Sequence, residues 1–324
     1  MLKKLKKLKR SAVTVGVLVA AVAAAANPAP ASAVSPPLSG ARIAAHFDLA
    51  QGRTPENVAL APGGAAYVTF AKARQVAEVS PEGAVRILAT LPEPPDGGVH
   101  TPALGFPLTT GLVRAPDGTL YFLYATGTPD LTGVWRLRPG GTPRRIAALP
   151  ADGLPNGLAL DPCTGTLYAA DSVLGTIWSV PTAGGAPTAW STAPELASAG
   201  FLGANGLKIH NGALWATNFD KGTVLRIPVR RDGRAGDVRT RATDLPGIDD
   251  IAFTGRGDQL LAALDGPNEV ALVQPDGSHS TVLTSADGLQ NPTSIALRGA
   301  TVHVLSAGWL TGKDPNLIRA RLSR

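Results

Sequence analysis

The clearest alternation of apolar and polar positions lies in the middle of the chain, where several short strands are predicted in succession. Residues 207–210, Leu-Lys-Ile-His, alternate in the way that the two faces of a half-buried strand require. Asn211-Gly212 follows, and this dipeptide favours a two-residue hairpin because a type I′ turn needs positive φ at both positions. Two more strands are predicted at 213–217 and 223–227, and a fourth near 238–243. The pattern therefore predicts one four-stranded antiparallel unit.

The same unit recurs along the chain, and the recurrence predicts the fold. Six repeats begin 44 to 54 residues apart, at Glu56, Thr110, Asn156, Asn205, Asp249 and Thr293. Six four-stranded units at this spacing predict an all-β, six-bladed β-propeller with four-stranded antiparallel blades. The last repeat ends after its third strand. Residues 41–50 look like a lone strand ahead of the first repeat, so we expect them to close the ring as the missing fourth strand.

The N-terminal segment has the pattern of a secretory signal peptide. A basic stretch at residues 3–10 precedes an apolar run of small residues at 11–26, and Ala31-Ser32-Ala33 matches a cleavage site. The apolar run is shorter than the roughly 20 residues that a membrane-spanning helix needs, so no stable membrane anchor is expected. We therefore predict a signal peptide at 1–33, cleavage near Ala33, a linker at 34–40, a propeller at 41–324, and secretion from the cell.

Cleavage would change what the charge implies about partners. The chain carries a net charge of +6, and the 33 residues removed contain six Lys or Arg and no acid, so the mature protein is near neutral. The few aromatic residues are not interleaved with basic ones, and a nucleic-acid partner is not expected. Cys163 is the single cysteine, so no disulfide forms within the chain. We expect a monomer.

Loop lengths indicate which face of the propeller binds ligands. The hairpins that join the first to the second strand and the third to the fourth strand of a blade are short. The connections on the other face include long irregular stretches, at residues 92–109, 125–132, 192–204 and 308–316. Binding residues are concentrated in such loops, so the functional face is predicted to be the one at which every innermost strand begins.

One position at the start of each innermost strand is expected to face the propeller axis. Four of the six positions offer carboxylate or amide oxygens, and these are Glu56, Asn156, Asn205 and Asp249. Ca²⁺ prefers such ligands, although another divalent cation such as Mg²⁺ stays possible from the sequence. No His/Cys set with zinc spacing accompanies them.

Two alternatives stay open at this point. Asp250 follows Asp249 directly and could be the ligand instead, although it aligns with Gly157 and Gly206 of the preceding repeats. The Asn-Gly pairs could merely turn the chain into a strand, because Asn-Gly is a turn dipeptide. Glu56 and Asp249 could likewise be solvated or bound to backbone N–H groups.

The order Glu…Asn…Asn…Asp, carried by Glu56, Asn156, Asn205 and Asp249, resembles the SMP-30/gluconolactonase/LRE-like propeller family. The chain is more distantly similar to paraoxonase-type arylesterases and to NHL-repeat propellers. The first resemblance implies that these four residues hold a catalytic Ca²⁺ on the axis and that the last Asp serves as a base.

The function expected from this resemblance is hydrolysis of a small-molecule lactone or ester. A bound Ca²⁺ would polarise the carbonyl, and Asp249, or Asp250 if the two exchange roles, would activate water. The alternative is a non-catalytic NHL-like binding propeller with a structural ion or none. Candidate walls of the substrate site are His100, Phe106, Asp171, Asn218, Asp265, Asn291 and Trp309, with Thr110 and Thr293 at the two remaining strand starts.

Overall fold

Residues 37–323 are the part of the chain that the computed structural model describes. The predicted signal peptide at 1–33, its cleavage site and residues 34–36 of the predicted linker lie outside this part. Within it, the helices are three short 3₁₀ turns, Leu49–Gln51, Pro194–Leu196 and Ser285–Asp287. No helix among these residues has the length and apolar character needed to cross a membrane.

The described residues form 24 strands in six antiparallel sheets of four strands, which are the six blades. Blade 1 contains β2 (Pro55–Leu60), β3 (Ala66–Phe70), β4 (Gln75–Val79) and β5 (Val85–Thr90), and blade 2 contains β6 (Leu108–Arg114), β7 (Leu120–Ala125), β8 (Gly133–Leu137) and β9 (Arg144–Ala148). Blade 3 contains β10 (Pro155–Asp161), β11 (Thr166–Asp171), β12 (Thr176–Pro181) and β13 (Thr188–Ser191), and blade 4 contains β14 (Ala204–His210), β15 (Ala213–Asn218), β16 (Thr223–Pro228) and β17 (Arg239–Ala242). Blade 5 contains β18 (Ile248–Phe253), β19 (Leu260–Leu264), β20 (Glu269–Val273) and β21 (His279–Leu283), and blade 6 contains β22 (Pro292–Arg298), β23 (Thr301–Ser306), β24 (Asn316–Leu322) and β1 (Leu38–His46). The predicted six-bladed propeller is confirmed.

The ring closes through the N-terminal strand, as the sequence predicted. Strand β1 pairs antiparallel with β24, with Ile43 opposite Ile318, and forms the outer edge of blade 6. The strand begins at Leu38, so Leu38 to Gly40 belong to the sheet rather than to the predicted linker. Pairing the two ends of the chain in one blade ties the ring together and covers the outer edge of β24.

The predicted hairpin at residues 211 and 212 shows why local sequence defines these blades so well. Asn211 has φ of 48° and Gly212 has φ of 66°, the positive values that a type I′ turn requires. The flanking residues His210 and Ala213 pair directly, so β14 and β15 are joined by a two-residue loop. The tight turn fixes the register of the two strands and, with it, which side chains face the neighbouring blades.

Six apolar clusters lie in the six spaces between neighbouring blades. Between blades 4 and 5, for example, the buried Trp215 packs with Ile251 and Leu260, and comparable clusters occupy the other five interfaces. The innermost strands of neighbouring blades are in contact all around the ring. Because burial of apolar area is the main stabilising term, the ring is held by blade-to-blade packing, and the axis is left for polar side chains.

Candidate functional site

A cavity of ≈ 650 Å³ opens at one end of the propeller axis. Its walls come from the starts of innermost strands, from the loops between second and third strands, and from the connections between blades. This is the face that the loop lengths predicted.

The four predicted ligand residues all line this cavity. Glu56, Asn156, Asn205 and Asp249 are each the second residue of an innermost strand, in β2, β10, β14 and β18 respectively. Each is buried, with 1 to 8% of its surface exposed. Their placement around one cavity is what the repeat alignment predicted, whereas their role as metal ligands stays a prediction.

A recurring bulge explains why these side chains point toward the axis. The pairing of each innermost strand with the second strand of its blade shifts register at this position, between Pro155 and Leu158 in blade 3 and between Ala204 and Leu207 in blade 4. The other four blades carry a shift at the corresponding place. A bulge adds an unpaired residue and re-aims a side chain, so six sequence-distant residues reach the same end of the axis.

The glycine after each asparagine is required by close packing, so the reading of Asn-Gly as a turn is wrong here. Both pairs lie inside strands, β10 and β14. A Cβ added to Gly157 would lie 1.9 Å from the backbone oxygen of Asn205, and one added to Gly206 would lie 2.5 Å from that of Asp249. The backbones of neighbouring innermost strands approach too closely there for a side chain.

One hydrogen bond joins two members of the predicted ligand set across blades, and a second holds another member. Asn205 Nδ2 donates a 3.0 Å hydrogen bond to Asp249 Oδ1. This leaves Asn205 Oδ1 buried without a hydrogen-bond partner. On the other side of the cavity, Trp309 Nε1 donates to Glu56 Oε2 over 3.3 Å. A buried acceptor without a donor is costly, and a bound cation is one group that would satisfy it.

Three buried carboxyl groups line the cavity, and burial raises the pKa of each of them. The pKa of Glu56 rises to about 8, through burial first and then through repulsion by Asp265 and Asp250, against the hydrogen bond from Trp309. Burial and the charges of Glu56, Asp265 and Asp250 raise the pKa of Asp249 well above its ordinary value. Burial raises the pKa of Asp265 to about 7. Positive charge brought between these groups would stabilise their ionised forms.

Asp250 lies outside the cavity and is bound to side chains of two neighbouring blades. Lys208 Nζ lies 2.5 Å from Asp250 Oδ1, and Ser294 Oγ donates a 2.7 Å hydrogen bond to Oδ2. Only about 1% of the Asp250 side chain is exposed. Since both carboxylate oxygens have partners, the geometry favours Asp249 over Asp250 as the acid that faces a ligand.

The predicted substrate residues divide into two groups. Phe106 and Trp309 line the cavity, with ring centroids 6.0 Å apart. His100 does not, because its side chain is 76% exposed and its Nδ1 lies 2.7 Å from Asp96 Oδ2. Asn218 does not either, because it is buried and its Nδ2 donates to the backbone oxygens of Glu195 and Ala197.

The two threonines at the remaining strand starts bind neighbouring backbone instead of lining the cavity. Thr110 Oγ1 donates a 2.8 Å hydrogen bond to the oxygen of Pro155, which precedes Asn156. Thr293 Oγ1 donates a 3.0 Å hydrogen bond to the oxygen of Pro55, which precedes Glu56. Each hydroxyl therefore ties its blade to the next one, directly beside a predicted ligand.

The remaining candidate walls show the same division. Asp171 and Asn291 bind backbone N–H groups of the surrounding loops, and neither lines the cavity. Asp265 does line it, and its Oδ1 is buried without a hydrogen-bond partner.

Sequence reasoning missed Lys72, Phe201 and Phe219, which also line the cavity. Lys72 and Phe219 lie just after second strands, as Asp265 does, so a comparison of second-strand ends across the repeats would have drawn attention to them.

The donor chemistry around the axis fits a hard cation. The predicted set joins two carboxylates to two amides, and the orphaned Asn205 Oδ1 is an amide oxygen of the kind that Ca²⁺ accepts. Among residues 37–323, no three Asp, Glu, His or Cys side chains lie close enough together to form a metal centre on their own.

Comparison with known proteins identifies relatives in structure but not in sequence. No protein-family model and no curated protein sequence matches the chain. A solved structure of regucalcin, a calcium-binding protein from Agrobacterium tumefaciens, is similar with a TM-score of 0.63 and 16% identity, over 87% of this chain and 96% of that one. A gluconolactonase from Xanthomonas campestris gives a TM-score of 0.62 and 16% identity, over 88% and 95%.

A lyase shares the architecture as well. A catalytically inactive histidine-to-alanine variant of virginiamycin B lyase from Staphylococcus aureus gives a TM-score of 0.60 and 17% identity, over 84% of this chain and 82% of that one. The solved structures that resemble this chain thus include gluconolactonase and regucalcin propellers, as the sequence resemblance predicted. At these identities the likeness shows the fold, and function has to be argued from the site.

Proposed function

We propose that this protein is a divalent-cation-dependent hydrolase of a lactone or ester. The observation that carries the proposal is that Glu56, Asn156, Asn205 and Asp249, from four different blades, are buried and line one cavity. Two proteins of similar structure, named as a gluconolactonase and as the calcium-binding protein regucalcin, support the proposal of a cation-dependent lactone hydrolase. Because two carboxylates and two amides suit Ca²⁺, we propose Ca²⁺ as the cation and these four residues as its ligands.

The proposed chemistry is the addition of water across the C–O bond of the ester. When bound, the cation would act as a Lewis acid that polarises the carbonyl and stabilises negative charge on its oxygen. Asp249 accepts the proton of the attacking water through the oxygen that Asn205 does not hold. Trp309 fixes Glu56, and the apolar walls exclude competing water. Proton return to the leaving alkoxide completes the alcohol and the carboxylic acid.

A lyase reaction is less well supported by this site. The variant of virginiamycin B lyase that lacks a histidine is inactive, whereas no histidine is among the described residues that line this cavity. His100 belongs to the same face but is exposed and bound to Asp96.

The decisive experiment combines a panel of lactones and esters with removal of divalent cations. We expect wild-type protein to hydrolyse at least one member in Ca²⁺, to lose that activity in chelator, and to regain it when Ca²⁺ is restored. Thermal unfolding measured in Ca²⁺, in Mg²⁺ and in chelator reports cation binding independently of turnover. Activity and unfolding temperature that are both indifferent to chelator would overturn the proposal. Cation binding without turnover would favour the non-catalytic binding propeller instead.

A further inference from the structure

We propose that the substrate is a neutral ester or lactone with an apolar body, an alkyl chain or an aromatic group, rather than a hydroxylated sugar lactone. The inference rests on the proposed function, because it concerns the same site. It is drawn from the walls of the cavity rather than from the predicted cation ligands.

The walls offer very few hydrogen-bonding groups to a substrate. Within residues 37–323, six polar or charged side chains line the cavity, and four of them are the predicted cation ligands, which leaves Lys72 and Asp265. The other lining residues are Leu, Phe, Trp, Pro and Gly, with no Ser, Thr, Tyr, Gln, Arg or His among them. A site that recognises several sugar hydroxyls needs a donor or acceptor for each, because a buried hydroxyl without a partner is costly.

The apolar wall is built as a packed cluster. Leu108, Leu154 and Leu202 are buried at 2%, 0% and 7% exposure, and Phe106 and Trp309 pack against this group. On the blade 4 side, Phe201 and Phe219 form an edge-to-face pair with centroids 6.1 Å apart. The buried leucines support the aromatic side chains, which are partly exposed and present an apolar surface to whatever enters the cavity.

The mouth of the cavity is apolar as well. Phe201 is 46% exposed and Leu310 is 71% exposed, and both line the cavity. Large apolar side chains exposed together around a pocket mark a contact surface for an apolar ligand. The body of a substrate would lie against this surface.

The charge balance of the cavity favours a neutral substrate. With a divalent cation bound and Glu56, Asp249 and Asp265 ionised, the three carboxylates would be balanced by the two charges of the cation and the one of Lys72, so the net charge of the cavity would be zero. The Lys72 ammonium already lies over two aromatic faces, 5.0 Å from the Phe106 centroid and 5.1 Å from the Trp309 centroid, which gives its charge a partner within the wall.

The test is a series of γ-lactones with the same ring and alkyl substituents of increasing length, compared with glucono-δ-lactone. We expect kcat/KM to rise about fourfold for each methylene that enters the apolar wall, and to level off once the chain passes the mouth. Glucono-δ-lactone should be at least tenfold poorer than the octyl-substituted ring. Equal or faster hydrolysis of glucono-δ-lactone, or a rate independent of chain length, would overturn the inference.

Variants at the mouth provide a second test on the same series. Phe201→Ser and Leu310→Ser should each lower the ratio of kcat/KM for the octyl lactone to that for the unsubstituted ring by about threefold or more. Val99→Ser is the matched control, because Val99 is 63% exposed but does not line the cavity, and its ratio should equal that of the wild type. A drop in the Val99 variant equal to the other two would show that the mouth has no special role.

Failure of this inference and failure of the proposed function give different results. If no lactone is hydrolysed, calorimetric titration of the same lactones still measures binding. Tighter binding of the alkyl lactones would keep the inference and reject the hydrolase. Hydrolysis without chain-length dependence would keep the hydrolase and reject the inference.

Discussion

Blades 3 and 4 differ from blades 2 and 6 at one position of the same repeat, and the difference separates residues that line the cavity from residues that tie neighbouring blades together. Asn156 and Asn205 occupy this position in blades 3 and 4 and line the cavity. Thr110 and Thr293 occupy it in blades 2 and 6, and their hydroxyls bind the backbone of the next blade. Every blade carries the same bulge at this position, and the side chain decides whether it lines the cavity or binds the backbone of the next blade.

The largest expected effect comes from a residue that lines the cavity, in the variant Asp249→Asn. If Asp249 takes the proton of water, hydrolysis should fall by about 10²-fold or more, while the protein stays folded because one of three mutually repelling buried acids is removed. Turnover and thermal unfolding are measured on the same samples. Asp237→Asn is the control, since the Asp237 side chain is 95% exposed, and activity should be unchanged. Full activity in the Asp249 variant would remove this residue from the mechanism.

The next effect concerns the close approach of the innermost strands. Gly157→Ala should destabilise the protein by about 3 kcal/mol or more, because the new Cβ meets the backbone oxygen of Asn205 rather than a flexible side chain. Gly63→Ala serves as control, since a Cβ there meets nothing within 4 Å. Denaturant unfolding of both variants gives the comparison. Equal stability of the two would mean that the strands lie farther apart around the axis.

The stability of the protein should fall in acid because of a buried histidine in blade 6. Burial, followed by the charges of Arg319 and Arg298, lowers the pKa of His303 to about 4, so the folded protein favours the neutral ring. The contribution of His303 to the free energy of unfolding is fully present above the unfolded pKa of about 6.5. It is lost as pH falls toward 4, by at most about 3 kcal/mol.

The variant His303→Leu tests this pH dependence. It cannot take up the proton, so its stability should fall less than that of the wild type between pH 7 and pH 4. His279→Leu is the control, because it also replaces a histidine by leucine, but at an exposed position in blade 5. Parallel curves for wild type and the His303 variant would contradict the assignment.

The smallest expected effect comes from the threonines themselves. Thr110→Val and Thr293→Val should each cost about 1 kcal/mol of stability, because a buried carbonyl loses its donor, and Thr→Ser at either position should restore most of it. Denaturant unfolding measures the difference. If the valine variants lost activity at full stability, the threonines would belong with Asn156 and Asn205 rather than with ring closure.

Much of this molecule could be predicted from local pattern. Strand alternation, the Asn211-Gly212 turn and the repeat spacing gave the six blades, because each depends on residues close together in sequence. The alignment of the repeats also selected Glu56, Asn156, Asn205 and Asp249. The loops and strand ends were harder to predict. His100 and Asn218 were expected at the substrate site and lie outside it, because His100 is exposed and hydrogen-bonded to Asp96, and Asn218 donates to backbone carbonyls.

The sequence by itself determined the number of blades, the closing strand and the four oxygen-bearing positions, since period and register are set by neighbours along the chain. Tertiary structure decided which of Asp249 and Asp250 lines the cavity, because packing against Lys208 and Ser294 holds the Asp250 carboxylate outside it. It also brought Lys72, Phe106 and Trp309 together from three separate loops. The course of a loop depends on the surface it packs against, and that surface exists only once the ring has formed.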